Sequence, residues 1–251
     1  MENNTSVRTG LKKLFDFCLH PIGLNIERHF GDALEVQNLI KFSRDFNIDL
    51  LLDIGANRGQ YADKIIKMGF KEKIISFEPL NSAHHALKKN ATKYSNWDAF
   101  DRCAIGDFDG EIEINISKNE YSSSLLRVGN KHLAAAPNAA ISHTEIVKIS
   151  KLDTISDKIG GKNILLKIDT QGFEDRVLNG AVQNILPRVK LIQLELSLIP
   201  LYEGGLTIDK MLPLLASLGF IPLFYSQGFT NRTNQEIQQL DGVFLNEKIT
   251  N

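Results

Sequence analysis

The chain has 251 residues, of which 43% are hydrophobic and 24% are charged, and its formal net charge is −1. This length suits one well-packed α/β domain with a small extension and is short for two domains. Lys and Arg are spread along the chain, which argues against duplex nucleic acid as a substrate, because binding a duplex usually needs a clustered basic face. A small anionic substrate is not excluded.

The cysteine content and the lengths of the apolar runs indicate the cellular compartment in which the protein is expected. Cys18 and Cys103 are too few and too far apart in sequence to predict a disulfide framework or a zinc site. No apolar run reaches the ~20 residues needed to span a bilayer, and residues 1–10 lack the apolar core of a signal peptide. We therefore expect a cytoplasmic protein with no membrane span, no nucleic-acid partner and no metal. The oligomeric state stays open, a homodimer included.

Two helical patterns precede the first strand. Apolar residues at helical spacing predict helices over residues 11–19 and 34–46. We predict that residues 1–48 form an N-terminal helical extension, which caps the sheet or covers the substrate cleft. A single domain is predicted over residues 49–251.

The most informative motif is L-L-L-D-I-G-A-N-R-G at residues 50–59. A short apolar strand ends in Asp53, and Gly55 and Gly59 then open a tight turn into a helix predicted over residues 60–68. Glycine lets the backbone approach a ligand closely, and the start of the helix offers free N–H groups. The motif predicts a nucleotide-type site at the carboxyl end of a parallel strand.

A second acid follows at the spacing expected within one βαβ unit. The apolar run K-I-I-S-F at residues 73–77 predicts a strand, which ends at Glu78 and Pro79. A carboxylate at the end of the second strand accepts hydrogen bonds from ribose hydroxyls. Alone, Glu78 would be an ordinary solvated charge, but the glycine motif before it favours the ribose role.

The spacing of the glycines bears on which nucleotide is bound. A dinucleotide fingerprint needs G-x-G-x-x-G, so that a pyrophosphate sits on the helix start, and this chain lacks that pattern. An acid at the position of Asp53 repels a pyrophosphate but suits an amino-acid tail that carries an ammonium. S-adenosylmethionine has such a tail, a ribose and no phosphate, so the pattern favours this cofactor.

Strand and helix patterns alternate over the rest of the chain, which predicts a mostly parallel sheet with helices on both faces. Strands are predicted near residues 98–104, 111–117, 146–149, 164–168, 190–196, 221–225 and 242–245. Helices are predicted over residues 83–93, 173–178 and 208–218, and the second of these continues toward residue 185 with Gly180 inside it or at a break. A loop of about thirty residues is expected after residue 117.

Several stretches resemble the FkbM-family methyltransferases, class I enzymes that use S-adenosylmethionine and are usually assigned to O-methylation. They are D-I-G-A-N-R-G-Q-Y-A (53–62), F-E-P-L (77–80), C-A-I-G-D-F-D-G (103–110), L-D-T-I (152–155) and L-L-K-I-D-T-Q-G-F-E (165–174). The resemblance implies a Rossmann-like class I methyltransferase fold, with a seven-stranded, mostly parallel sheet whose last strand is antiparallel. Residues 114–126 look like the branch of the family found with sugar and glycan biosynthesis.

The resemblance also extends the expected cofactor site. Arg102, Cys103 and Ala104 lie where class I enzymes receive the adenine, so the resemblance implies that they contact the base. The full cofactor-binding set that we expect is Asp53, Gly55, Asn57, Gly59, Tyr61, Glu78, Pro79, Arg102, Cys103, Ala104 and Asp169.

Acids after the later strands are candidates for the chemistry of methyl transfer. The reaction is an in-line displacement, so the enzyme must align the acceptor and, for a hydroxyl, remove its proton. We expect Asp169 as the catalytic base, Glu195 as its partner and Glu174 as a third catalytic residue. The alternatives are a helix-start charge for Glu174 and a carboxylate salt-bridged across strand ends for Glu195.

Residues 119–143 are predicted to recognise the acceptor, which we expect to be a sugar, a glycan or a similar small metabolite. Hydroxyls and imidazoles suit sugar hydroxyls, and the expected acceptor-binding residues are Ser123, Ser124, His132 and His143. His143 is also a further candidate for the base. A flexible polar loop with exposed histidines explains the same residues equally well.

Three other functions stay open on the sequence. A nicotinamide-dependent oxidoreductase shares the fold and the ribose acid but needs the missing glycine pattern. A metal-dependent O-methyltransferase would gather a divalent ion with Asp169, Glu174 and Glu195. A cofactor-binding protein without turnover would keep the same glycines and acids, because these indicate binding and not catalysis.

Overall fold

The computed structural model of the protein describes residues 30–231 and 234–249, so the helix predicted over residues 11–19 lies outside the described residues. Contacts divide the chain into two compact units, residues 1–34 and 35–251. Helix α1 (Phe30–Asp45) corresponds to the helix predicted over residues 34–46. Residues 35–48 belong to the same unit as the sheet, so the division lies ahead of the predicted domain boundary.

The second unit contains a seven-stranded sheet. Its strands are β1 (Leu50–Ile54), β2 (Lys73–Phe77), β3 (Trp97–Ala99), β7 (Ile164–Ile168), β8 (Val189–Ser197), β9 (Phe220–Gln227) and β10 (Gln239–Asn246). They lie in the order β3-β2-β1-β7-β8-β10-β9. Neighbouring strands are parallel, except that β10 runs antiparallel to both β8 and β9. The predicted Rossmann-like fold with a reversed last strand is confirmed.

Side chains of β1 alternate between two apolar layers, because successive residues of a strand face opposite sides of the sheet. Leu50, Leu52 and Ile54 belong to one buried cluster, while Leu51 belongs to the other. The helices are α2 (Gln60–Lys67), α3 (Asn81–Ala91), α4 (Asn130–Ala135), α5 (Glu174–Asn179) and α6 (Ile208–Leu218). Apolar residues of α1, α2 and α3 pack in the layer of Leu51, and those of α5 and α6 pack in the opposite layer.

A second, three-stranded sheet has the order β4-β6-β5 and consists of β4 (Ala104–Ile105), β5 (Gly110–Ser117) and β6 (Ile141–Ser150). The single strand predicted near residues 98–104 is therefore wrong, because β3 and β4 are separate strands in different sheets. The strands predicted near residues 111–117 and 146–149 are confirmed and pair with each other, although β6 begins earlier than predicted and lies between β4 and β5. The predicted thirty-residue loop is shorter, since it contains α4 and the first residues of β6.

Gly180 ends α5. A Cβ atom at this position would lie 1.9 Å from the carbonyl oxygen of Gly106, so only glycine permits this approach of the two backbones. The helix predicted to continue toward residue 185 stops at Asn179, and the break lies at Gly180. In the described part of the chain, no helix is both long and apolar enough to cross a membrane.

Candidate active site

A cleft lies at the carboxyl ends of β1, β2 and β7. We call it the central cleft. Ligands bind at this edge of parallel α/β sheets. Among the residues predicted to bind the cofactor, Gly55, Asn57, Glu78, Pro79, Cys103, Ala104 and Asp169 line it, together with Ser123 and Ser124 from the predicted acceptor set.

The turn after β1 brings two strand ends into contact. Gly55 has a φ of 78°, and a Cβ atom there would lie 1.9 Å from the carbonyl oxygen of Asp169. The backbone N–H of Asp169 in turn donates to the carbonyl oxygen of Ile54. Since an L side chain fits neither this φ nor this distance, glycine is what allows the ends of β1 and β7 to meet at the cleft.

Glu78 presents a carboxylate that two backbone groups hold in place. Its Oε2 accepts a hydrogen bond of 2.7 Å from the backbone N–H of Asn57, and its Oε1 accepts one of 2.8 Å from that of Leu80. Burial raises the pKa of Glu78 to about 7, although both hydrogen bonds stabilise the ionised form. The cleft therefore contains a fixed, largely desolvated acid.

One wall of the cleft is apolar. Pro79, Leu80, Cys103, Ala104 and Ile105 contribute to it. Burial raises the pKa of the Cys103 thiol to about 12, so the thiol is neutral at physiological pH. This wall suits a flat, uncharged ring system.

Asp53 does not line the central cleft. It is fully buried and lies in register with Ser76 of β2 and Lys167 of β7. The Lys167 ammonium is 3.1 Å from Oδ1 of Asp53, and the Ser76 hydroxyl donates to Oδ2 at 3.0 Å. Because side chains alternate along β1, Asp53 shares the face of Leu51. The expectation that its carboxylate would meet a ligand ammonium is corrected, since a lysine of this chain occupies that position.

Lys167 also reaches the cleft-lining acid, with its ammonium 3.4 Å from Oδ2 of Asp169. Burial alone would lower the pKa of Lys167, but the negative charges of Asp53 and Asp169 outweigh it and raise that pKa. The lysine is thus a buried cation shared between the two carboxylates.

Asp169 and Glu195 come together at the ends of β7 and β8. The side-chain amide of Gln171 donates to Oδ1 of Asp169 at 2.7 Å and to Oε2 of Glu195 at 3.0 Å. Gln239 donates to the same oxygen of Glu195 at 3.1 Å. Burial raises the pKa of Glu195 well above its usual range, and the neighbouring charge of Asp169 raises it further.

Glu174 is buried and turned toward its own loop. Its Oε1 accepts from the backbone N–H groups of Thr170 at 3.1 Å and Gly172 at 3.0 Å. Burial raises the pKa of Glu174 to about 7 despite these bonds. The helix-start alternative describes this residue well, because its carboxylate satisfies backbone donors just before α5.

Comparison with known families matches the model of the methyltransferase FkbM domain to residues 53–222. This chain belongs to the FkbM methyltransferase family. The match includes the glycine turn, Glu78 and the ends of β7 and β8. It also supersedes the nicotinamide-dependent alternative, and the protein is a methyltransferase whose cofactor is S-adenosylmethionine.

One relative of this FkbM protein is the 2-O-methyltransferase NoeI of Sinorhizobium fredii (strain NBRC 101917 / NGR234). It is 28% identical over 182 residues, which cover 70% of this chain and 74% of NoeI. Among solved structures, a putative S-adenosylmethionine-dependent methyltransferase of Listeria monocytogenes is similar, with 10% identity, a TM-score of 0.48 and coverage of 86% of this chain and 99% of that one. Fibrillarin of Aeropyrum pernix is also similar, with 9% identity and a TM-score of 0.44, and the match covers 78% of this chain and 66% of fibrillarin.

The chemistry of the central cleft fits the cofactor of an FkbM methyltransferase. S-adenosylmethionine supplies a methyl group activated by a positively charged sulfur, next to a ribose with two hydroxyls and an adenine ring. The cleft offers a fixed carboxylate in Glu78, an apolar wall around Ala104 and a second carboxylate in Asp169. These groups suit the hydroxyls, the ring system and the positive charge of the cofactor.

Besides Asp53, three residues of the predicted cofactor set lie outside the cleft lining. Gly59 precedes α2 with a φ of 85°, and a Cβ atom there would lie 2.5 Å from the Trp97 ring. The hydroxyl of Tyr61 donates to Oε1 of Gln193 at 2.5 Å, and the Tyr61 ring packs against the Lys167 ammonium. Arg102 pairs with Glu145 at 3.5 Å. The first two residues support the turn after β1 and the buried charges.

The four predicted acceptor residues separate into two pairs. Ser123 and Ser124 line the cleft, and the Ser124 hydroxyl donates to the carbonyl oxygen of Gln171 at 2.7 Å. His132 is buried, with its ring 5.1 Å from that of Tyr202, and burial lowers its pKa. His143 lies on the exposed part of β6 and not in a loop, which corrects its predicted position. Neither histidine lines the cleft.

Sequence reasoning missed Lys167, Gln171 and Tyr121. The first two stand inside K-I-D-T-Q-G, so position in the motif was the available signal. Tyr121 lines the cleft and has 61% of its surface exposed, and no sequence pattern marks it. Within the described residues, no three His, Cys, Asp or Glu side chains form a group that could hold a metal ion.

Proposed function

We propose that this methyltransferase transfers the methyl group to a hydroxyl oxygen of a sugar, a glycan or a similar small metabolite. The observation that carries this proposal is the Asp169 carboxylate, which lines the central cleft and is oriented by Lys167 and Gln171. A hydroxyl acceptor needs such a base, because its proton must leave as the oxygen attacks. The name of NoeI, a 2-O-methyltransferase, supports an oxygen acceptor.

Within this proposal, Glu78 binds the ribose hydroxyls through the oxygen lone pairs that its two backbone donors leave available. Cys103 and Ala104 contact the adenine, and Gly55 lets the backbone approach the amino-acid portion of the cofactor. Asp169 faces the reacting end. Lys167 holds the Asp169 carboxylate from behind the cleft, and Asp53 holds Lys167.

The chemical step requires the protein to align the acceptor, to remove its proton and to contact its remaining atoms. The cleft aligns the acceptor oxygen behind the methyl carbon, opposite the sulfur. Asp169 takes the hydroxyl proton as the new C–O bond forms and the C–S bond breaks, and the bonding electron pair leaves with the sulfur. Ser123 and the exposed Tyr121 at the rim of the cleft contact the acceptor, since hydroxyl and aromatic side chains both suit a sugar ring.

The test is release of S-adenosylhomocysteine from S-adenosylmethionine in the presence of methyl pyranosides of the common hexoses. We expect Asp169→Asn to lower kcat by about 100-fold or more, the contribution typical of a general base. Asp157→Asn, which changes an exposed carboxylate in a short turn, serves as the matched control and should retain the wild-type rate. Equal rates in the two variants would remove Asp169 from the chemistry.

Metal independence is part of the same proposal. Because the proposed step needs only a carboxylate base and an activated methyl group, we expect turnover to be unchanged after dialysis against EDTA. Loss of turnover that Mg²⁺ restores would favour the metal-dependent alternative. The cytoplasmic location and the absence of a nucleic-acid partner stay predictions from the sequence.

A further inference from the structure

Gln171 connects the two acids at the ends of β7 and β8. Its amide nitrogen donates to Asp169 at 2.7 Å and to Glu195 at 3.0 Å, one hydrogen for each carboxylate. Its amide oxygen accepts a hydrogen bond of 2.6 Å from the hydroxyl of Tyr202. All the donors of the amide are therefore engaged, and the orientation of the amide is fixed because the tyrosine hydroxyl points at its oxygen.

The backbone of Gln171 is held in an uncommon conformation. Its φ is 58°, in the left-handed region that residues other than glycine rarely adopt. Glu174 stabilises this turn by accepting from the backbone N–H groups on either side, and the Ser124 hydroxyl donates to the carbonyl oxygen of Gln171. Strain of this kind persists only where the surroundings enforce it, and it is concentrated at functional sites.

The position of the amide has an electrostatic consequence. Asp169 and Glu195 lie close enough to share one nitrogen donor, and Asp241 adds to the negative charge around Glu195. Two neighbouring carboxylates disfavour each other's ionised forms, whereas an N–H donor stabilises an ionised carboxylate. An amide between the two acids therefore counteracts their repulsion and fixes the direction of Asp169.

We infer that Gln171 is a positioning residue of the methyl transfer, which holds one oxygen of the Asp169 carboxylate so that the carboxylate stays turned into the central cleft, while Lys167 contacts the other oxygen. This inference rests on the proposed function, in which Asp169 accepts the hydroxyl proton. Gln171 itself acts through Asp169, while Tyr202 and Glu174 hold Gln171. The short segment Asp169–Gly172 thus combines the base and the group that orients it.

The test compares Gln171→Met, which keeps the length of the side chain and removes its donors, with Gln183→Met at an exposed position of the chain. The protein is labelled with 13C at the aspartate carboxyl carbons, and the Asp169 signal is assigned by its loss in Asp169→Asn. We expect the chemical shift of this signal to change in Gln171→Met, because one carboxylate oxygen loses its hydrogen bond to the amide. Gln183→Met should leave it unchanged.

Turnover provides the second readout. In Gln171→Met, we expect kcat with methyl pyranosides to fall by about tenfold, the size expected for one charge-assisted hydrogen bond, while KM and the calorimetric affinity for S-adenosylhomocysteine stay within about twofold of the wild type. An unchanged Asp169 signal overturns the inference, whatever the rates are. If the signal changes but the wild-type protein methylates no pyranoside, the role of Gln171 toward Asp169 is supported and the sugar acceptor is wrong.

Discussion

Glu78 is a buried carboxylate whose two oxygens each accept a backbone hydrogen bond at the central cleft. Its pKa of about 7 is the outcome of two opposed effects, with burial favouring the neutral acid and the two N–H groups favouring the ion. In the binding mode that we propose, the two ribose hydroxyls and the positive sulfur of the cofactor shift this balance toward the ion. Binding of the cofactor and ionisation of Glu78 are coupled in that binding mode.

This coupling predicts how cofactor affinity changes with pH. Below pH 7 the Glu78 carboxyl is largely protonated in the unbound protein, so binding must release a proton. We expect the affinity for S-adenosylmethionine at pH 6 to be roughly tenfold lower than at pH 8. Calorimetry in buffers of different ionisation enthalpy measures the released proton directly.

Glu78→Gln is the control for that experiment. The ionisation of the cofactor itself is common to both proteins and cancels in the comparison, so the variant should bind more weakly and release fewer protons at pH 6. Equal proton release by the wild type and the variant would show that Glu78 does not meet the cofactor as an anion.

Asp53 and Lys167 form a buried ion pair, so removing one partner leaves an uncompensated charge. We expect Asp53→Asn to lower the free energy of unfolding by about 3 kcal/mol, near the lower end for a broken buried pair because Asp169 still contacts the lysine. Urea denaturation measures the change. The double variant Asp53→Asn/Lys167→Met should recover most of it, and an undiminished stability of Asp53→Asn alone would contradict the structural role of the pair.

Among the loops and turns, the one after β1 depends on glycine at residue 55. Gly55 and Gly204 have similar left-handed φ angles of 78° and 85°, but an added Cβ atom meets the Asp169 carbonyl only at Gly55, whereas nothing lies within 4 Å at Gly204. The two positions therefore separate the cost of backbone strain from that of close packing.

We expect Gly204→Ala to lower the free energy of unfolding by ~1–2 kcal/mol, the cost of a left-handed alanine. Gly55→Ala should lose a further ~1–3 kcal/mol from overpacking and bind S-adenosylhomocysteine more weakly, since the ends of β1 and β7 must separate. Thermal unfolding and calorimetry measure the two effects. If both variants lose the same stability and bind equally well, the close approach of the strand ends is not important for the cleft.

Residues 119–125 form a segment between β5 and α4 that is bound by polar contacts to other elements around the central cleft. The carboxylate of Glu120 pairs with Arg58 at 2.8 Å and accepts from the Ser82 hydroxyl at 3.0 Å. Tyr121 and Ser123 next to it line the cleft. Glu120 thus connects the segment to the turn after β1 and to the start of α3.

Glu120→Gln should release bound cofactor faster with little change in stability. An exposed ion pair contributes ~1 kcal/mol or less, so the dissociation rate of labelled S-adenosylmethionine in a chase experiment should rise by no more than about fivefold. Asp98→Asn on β3 breaks an exposed pair with Lys73 of β2 and serves as the control. The same dissociation rate in both variants would show that the pair does not hold the segment over the cleft.

Local features of the chain were predictable because they depend on neighbouring residues. Gly55 and Glu78 belong to short motifs at strand ends, and the alternation of strands and helices is sufficient to predict the parallel sheet. The orientation of Asp53 was also available in principle, since alternation along L-L-L-D-I places it on the side of Leu51. Its negative charge led instead to the prediction that it contacts the cofactor.

Features that depend on contacts between distant segments were not predictable. The second sheet arises because β6 pairs with both β4 and β5. Gln171 acquires its role from Tyr202 and Glu195, and Lys167 from Asp53, which lie on other strands or loops. Residue type and spacing do not indicate these partners, so a base could be proposed from the sequence but not the groups that orient it.

The proposed reaction combines a cofactor cleft, a carboxylate base and an oxygen acceptor. The most direct test is to incubate the protein with S-adenosylmethionine carrying a 13C-labelled methyl group and a panel of methyl pyranosides, and to follow the labelled carbon by NMR. We predict that the label moves to a methoxy resonance of a pyranoside, and that Asp169→Asn prevents this while Asp157→Asn does not. A label that appears on nitrogen or carbon, or on oxygen at the same rate in Asp169→Asn, would contradict the account.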